Sequence, residues 1–174
     1  MSGGPRIPLV APGTRPELAA IERTILAERG HVNALYQALL NSAPLADGWE
    51  KLLTAIRNRG SLPPALREMV MLRVAVLNRA PFEFQAHAPV ARKAGVTEEK
   101  IAALERPEVG EPFDQTERSI LALTDAMTRD VQVSDAVFDA VARGLDTKEL
   151  VELVATVAAY NMVSRFLEAL RIGH

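Results

Sequence analysis

An all-α fold, a single-domain bundle of eight or nine helices, is what this chain predicts, and three observations carry that reading. Apolar residues recur at helical spacing through most segments, no stretch alternates with the two-residue period of a half-buried strand, and segment ends carry capping pairs and glycines. A length of 174 residues suits one domain able to bury a real core. Low-complexity tracts and short repeats are absent from the sequence.

Residues 1–13 are rich in Gly and Pro and predict an extended arm, lying over the body or reaching a neighbouring subunit; residues 14–174 form the helical domain. Thr14 and Glu17 have capping-box spacing and predict a helix to Arg29, with Leu18, Ile21, Ile25 and Leu26 as its inner face and Gly30 at its end. Val32–Leu40 repeats the pattern more briefly. Ser42 and Pro44 open a third helix with Trp49, Leu52, Leu53 and Ile56 as its stripe, ending before Gly60. Ser61 then caps a helix over Leu62–Asn78, with Pro63 and Pro64 in the first turn, where a missing N–H costs nothing. Its apolar residues cover nearly the whole circumference, which predicts burial on most sides, yet Glu68 and Arg73 interrupt it. A carboxylate in that setting must be paired, hydrogen-bonded or protonated.

Pro81 starts the next helix, in which Glu83 and His87 are four residues apart and share a face, and Pro89 predicts a kink or break nearby. Gly95 fits its left-handed end and Thr97 the cap of a short helix. Glu105–Pro112 (ERPEVGEP) reads as the one hinge-like connector, though not as a domain boundary. Asp114 with Glu117 and Asp146 with Glu149 are capping boxes; Ser134 caps a helix between them that Gly144 ends. The last helix, Leu150 to about Leu170, carries Asn161 and Arg165 on one face.

Composition excludes several functions. The formal net charge of −2, with no basic–aromatic patch, gives no nucleic-acid surface. Without cysteine there is no disulfide, thiolate metal site or thiol nucleophile. Phosphate-binding glycine loops and a Gly-x-Ser-x-Gly elbow are missing too. The N-terminus has no apolar run long enough for a signal peptide, and the most apolar helix, charged and expected to be too short for a bilayer, predicts a cytoplasmic protein without a membrane partner.

The central stretch, with FDQTERSILALTDAMT and LVELVATVAAYNMVSRFLEAL downstream, resembles the carboxymuconolactone decarboxylase family, which includes the alkyl hydroperoxidase D proteins. Peroxidase members of that family carry a Glu, eleven residues, a Cys, two residues, a second Cys, three residues and a His. Here Glu68, Ala80, Glu83 and His87 occupy those positions, so acid and imidazole remain while both sulfurs are gone. Disulfide exchange needs an attacking thiolate and a resolving thiol, so peroxidase activity of the family type is not expected. The resemblance implies instead the decarboxylase branch: a cofactor-free enzyme that decarboxylates, isomerises or hydrolyses a small carboxylated lactone or related acid. In this reading His87 and Glu83 form an acid–base pair and Glu68 orients His87 or holds a second proton; the bland reading of Glu68 is an ion pair with Arg67 or Arg73. An anionic substrate implies a guanidinium, Arg165 in first place and Arg73 in second, with Asn161 presenting its amide or bridging helices, and Trp49 and Tyr160 lining the pocket or filling core.

Metal binding through Glu68, Glu83 and His87 is the competing chemistry, but the paired Glu-x-x-His motifs of di-iron bundles are missing, so no metal or other cofactor is expected. His31 and His174 read as loop and terminal residues without a role. Trimers or hexamers are implied by the resemblance, and a chain this apolar predicts a homo-oligomer. The alternative function is a non-catalytic small-molecule-binding or assembly module that has lost the redox chemistry.

Overall fold

The structure is a computed structural model and describes residues 3–173. Among them nine α-helices and no strand occur, in the order α1 (Ala19–Arg29), α2 (Ala34–Leu39), α3 (Ala43–Thr54), α4 (Pro64–Leu77), α5 (Pro81–Lys93), α6 (Glu98–Ala103), α7 (Gln115–Arg129), α8 (Asp135–Ala142) and α9 (Thr147–Leu170). The fold is all-α, as the periodicity predicts. The chain divides into two compact units, one running to Arg59 and resuming at Leu167, the other Gly60–Phe166.

In the first unit, Gly30 takes the left-handed conformation (φ 76°) that ends α1. The start of that helix differs from expectation. Thr14 donates its hydroxyl to the Ala11 carbonyl at 2.7 Å, and the chain enters through a 3-10 turn at Pro16–Leu18, so no capping box forms with Glu17. Leu18 and Ile25 are buried but Leu26 lies outside, and on α3 only Leu53 of the expected stripe is fully buried. α3 continues as a π-helical turn over Ala55–Arg59. The N-terminal arm is bound from Arg6 onward: Arg6 N–H donates to the Leu170 carbonyl at 2.9 Å and Val10 N–H to the Gln37 carbonyl at 3.0 Å.

In the second unit α4 packs against α5 and α7, and α7 against α8. Met69 and Leu72 of α4, Ala88 and Ala91 of α5, Ile101, Leu104, Phe113 and Leu121 make one buried cluster. Ser61 does not cap α4; Pro63 holds that position with no side-chain cap. A distant carboxylate holds the loop before it: Glu152 of α9 accepts from Ser61 N–H at 2.6 Å, Ser61 Oγ–H at 2.9 Å and Leu62 N–H at 3.0 Å. Both boxes form. Asp114 and Glu117 bond reciprocally at the start of α7, as do Asp146 and Glu149 at the start of α9. Ser134 precedes α8 without a side-chain bond.

The structure bears on three further expectations. α5 continues through Pro89 to Lys93, so the helix does not break there. The Glu105–Pro112 connector is internal to the second unit, and its carbonyls are held by arginines: Arg73 takes those of Arg106 and Pro107, and Arg129 that of Pro107. α9 has 24 residues and is long and apolar enough to cross a bilayer, with half of its most apolar window buried within the protein.

Candidate functional site

Near-continuous apolar sequence buries α4 on most sides, and this carries Glu68 into the interior at 1% exposure. α5 then turns back from Pro81 and packs along α4, bringing His87 beside it. Glu68 Oε2 lies 2.7 Å from His87 Nδ1, with the imidazole only 7% exposed. Tyr160 of α9 meets the imidazole edge-on, the ring centroids 5.0 Å apart at 81°. Carboxylate and aromatic wall together fix the plane of the ring and leave Nε2 as the nitrogen directed away from Glu68. Of the two partners considered for Glu68, Arg67 stands 3.9 Å away through Nε, while Arg73 turns elsewhere.

Glu83, one turn before His87, is equally buried, and Ser164 Oγ–H of α9 donates to its Oε2 at 2.5 Å. Two carboxylates thus flank the α5 face bearing the imidazole, each anchored to a different helix. Ala80, the position of the absent first sulfur, borders an open cavity of about 400 Å³ lined by Ala75, Val76, Arg79, Pro81 and Phe84, with Gln85 and Glu105 also contributing. Glu83 and His87 do not line it.

The expected substrate-binding residues fare differently. Arg73 is fully buried, and its five N–H donors are consumed by Asp125, paired through Nε and Nη2 at 2.6 Å each, and by the carbonyls of Leu104, Arg106 and Pro107. No donor remains for a substrate, so Arg73 is a brace between α4, α7 and the connector. Asn161 is saturated as well. Its Oδ1 accepts from Asn78 at 3.0 Å and Arg165 at 2.6 Å, and its Nδ2 donates to Thr128 and to the Val157 carbonyl, which makes it the helix bridge. Arg165 is exposed and anchored by Nη1 to the Asn161 carbonyl and side chain. Trp49 is half-buried on α3 in the first unit. His31 sits on an exposed bend, and His174 lies outside the described residues.

Two supporting groups were not singled out from sequence. Ser164 looks like an ordinary helix residue, and only the fold shows it against Glu83. Asp125 carries no local signal either, being one acid on an amphipathic helix. Among the described residues no group of three His, Asp or Glu side chains is arranged to hold a metal ion.

Residues 43–126 match the model of the Carboxymuconolactone decarboxylase family. No curated protein matches the chain. Solved structures do. An uncharacterized peroxidase-related protein from Silicibacter sp. TM1040 is 17% identical with a TM-score of 0.82, over 97% of this chain and 90% of that one. An alkylhydroperoxidase AhpD core protein from Ralstonia eutropha JMP134 is 15% identical with a TM-score of 0.83, over 99% and 93%. A cysteine-to-alanine variant of the debrominase Bmp8, in complex with 2,3,4-tribromopyrrole, is 17% identical with a TM-score of 0.82, over 99% and 92%. At such identities the likeness is one of fold. This chain is a cysteine-free protein of alkyl hydroperoxidase D-like fold, and just under half of it, residues 43–126, matches the carboxymuconolactone decarboxylase family model.

Proposed function

We propose that this protein is a cofactor-independent acid–base enzyme that decarboxylates, isomerises or hydrolyses a small carboxylated lactone or a related acid. The observation that carries the reading is the buried Glu68–His87 pair, 2.7 Å apart on neighbouring helices. A carboxylate on Nδ1 fixes the tautomer and raises the basicity of the opposite nitrogen, the arrangement required of a general acid–base imidazole. In a decarboxylation the bond between the ring carbon and the carboxylate breaks, its electron pair is delocalised into an adjacent carbonyl, and carbon dioxide departs. His87, protonated at Nε2, then delivers a proton to that carbon. Glu83, held by Ser164, supplies the second acid–base group. The debrominase of similar fold is described with a small halogenated pyrrole, which supports a ring-sized substrate here. With no thiol, the dithiol peroxidase route is closed to this chain.

The test is turnover across a panel of carboxylated lactones and β-keto acids, on wild type and on His87→Ala, Glu83→Gln and Glu68→Gln. Loss of about 10²–10⁴ in kcat/KM for His87→Ala with the fold intact supports the enzyme. A second reading, a binding or assembly module, is favoured by the saturation of Asn161 and the Glu83–Ser164 bond, which are what a braced core needs. Inactivity across the panel, with His87→Ala changing stability alone, supports that module.

A further inference from the structure

Beside the Glu68–His87 pair lies a cation that the reading above does not use. The Arg67 side chain is only 12% exposed, and its Nε is buried without a hydrogen-bond partner. The acid at ion-pair distance from it is Glu68, whose Oε1 lies 3.9 Å from Nε, beyond hydrogen-bonding distance. Glu68 is already committed through Oε2 to His87. The contrast with Arg73 is direct: the same side-chain type, six residues on along the same helix, has an acceptor for each of its five donors. A guanidinium stays charged at any pH a protein survives; here its Nε–H is the donor buried without an acceptor, while the terminal nitrogens keep access to water, and leaving such an N–H unmet inside the protein is unfavourable. Such a group is complementary to an oxyanion. Its planar fork matches a carboxylate in particular.

We infer that Arg67 is the anion-recognition residue of this site, holding the carboxylate of a small organic acid against α4 while the rest of that acid extends towards the His87 imidazole. The inference deepens the acid–base reading of Glu68 and His87 and rests on it for the location of the site, but not for turnover. Sequence order gives the geometry: Arg67 and Glu68 are adjacent on α4, and Glu68 touches His87, so the cation and the imidazole are separated by one carboxylate. An acid gripped at Arg67 is within a small molecule's length of the ring. Arg165, which the sequence favours for this task, is instead tethered to Asn161 at its exposed position.

The experiment is a binding titration of the full chain with benzoate, and with benzamide as the neutral isostere, followed by calorimetry and by NMR of the His87 ring. Benzoate is expected to bind with displacement of the His87 signals, and benzamide roughly tenfold or more weaker. Arg67→Met is expected to weaken benzoate roughly tenfold or more while leaving benzamide unchanged, and Arg67→Lys to fall between, since it keeps the charge but not the fork. Should Arg67→Met fail to fold, Arg67→Lys decides, because a folded lysine variant with undiminished benzoate affinity overturns the inference. So do equal affinities for benzoate and benzamide, binding that leaves His87 unmoved, or no benzoate binding at all. Selective benzoate binding through Arg67 together with an inactive substrate panel keeps the inference and removes the enzyme reading alone.

Discussion

Arg73 shows what a buried charge requires. Its guanidinium is fully enclosed, and the bidentate pair with Asp125 supplies the opposite charge while three carbonyls complete its shell. Breaking such a pair from one side leaves an uncompensated charge inside, which costs about 3–5 kcal/mol. Asp125→Ala is therefore expected to lower unfolding stability by about that amount in urea titrations, with the denaturant slope unchanged. A loss below about 1 kcal/mol would show that the carbonyls alone suffice. The same residue marks where sequence reading stops. Glu68 and His87 stand out because a charged group on an apolar helix needs a partner, and that rule acts locally. Which partner it finds is decided by packing: Asp125 reaches Arg73 across 52 residues and Ser164 reaches Glu83 across 81. No spacing rule spans those distances, so the core of the site is legible in the sequence while its supports are not.

Helix boundaries were legible wherever the signal sits within a few residues, as in the Asp114–Glu117 and Asp146–Glu149 boxes, the Thr97 cap and the left-handed Gly30 and Gly95. The start of α4 was not, because Ser61 is drawn away from a capping role to Glu152, 91 residues on in the chain, and Pro63 stands at the N-cap. Partial burial works to raise the pKa of Glu152, but the Ser61 hydroxyl, the Ser61 and Leu62 amides and the Lys148 ammonium outweigh it and hold the carboxyl below the usual glutamate range. With a folded pKa below the unfolded one, the contribution is fully present above the ordinary glutamate value of about 4.3 and is lost as pH falls through the lowered value. Glu152→Gln is expected to flatten that acid limb of the stability curve; an unchanged limb would place the acid sensitivity in other carboxylates. α7 ends less comfortably. Val131 follows its C-cap at φ 67°, a conformation in which a β-branched side chain crowds the backbone. Val131 is 78% exposed, so its side chain has little packing to lose. Val131→Gly is expected to stabilise by about 1 kcal/mol, read as a raised thermal midpoint.

At the scale of the whole molecule, several large apolar residues are left at the surface, and some of them share one helix. Of the stripe expected on α3 and the turn after it, Trp49, Leu52 and Ile56 continue the helical spacing of Leu45, and Leu45 and Leu52 remain 55% and 42% exposed, with Leu26 of α1 at 46%. That explains why the sequence marks this stripe as core while the folded chain leaves much of it in water: periodicity reports that a face avoids water, not which surface covers it. A second copy of the chain is the expected cover, since homo-oligomers join through self-complementary apolar patches. Sedimentation of wild type is expected to give a multiple of the chain mass, and Leu45→Glu with Leu52→Glu to shift the distribution towards the monomer with helical content unchanged. The double variant sedimenting as wild type would move the interface elsewhere, the half-buried apolar helix α9 being the next surface to mutate. Association also bears on the site. Were the lower-mass variant folded but weaker in carboxylate binding, a neighbouring subunit would be completing the site around Arg67 and His87; unchanged binding would make the single chain sufficient.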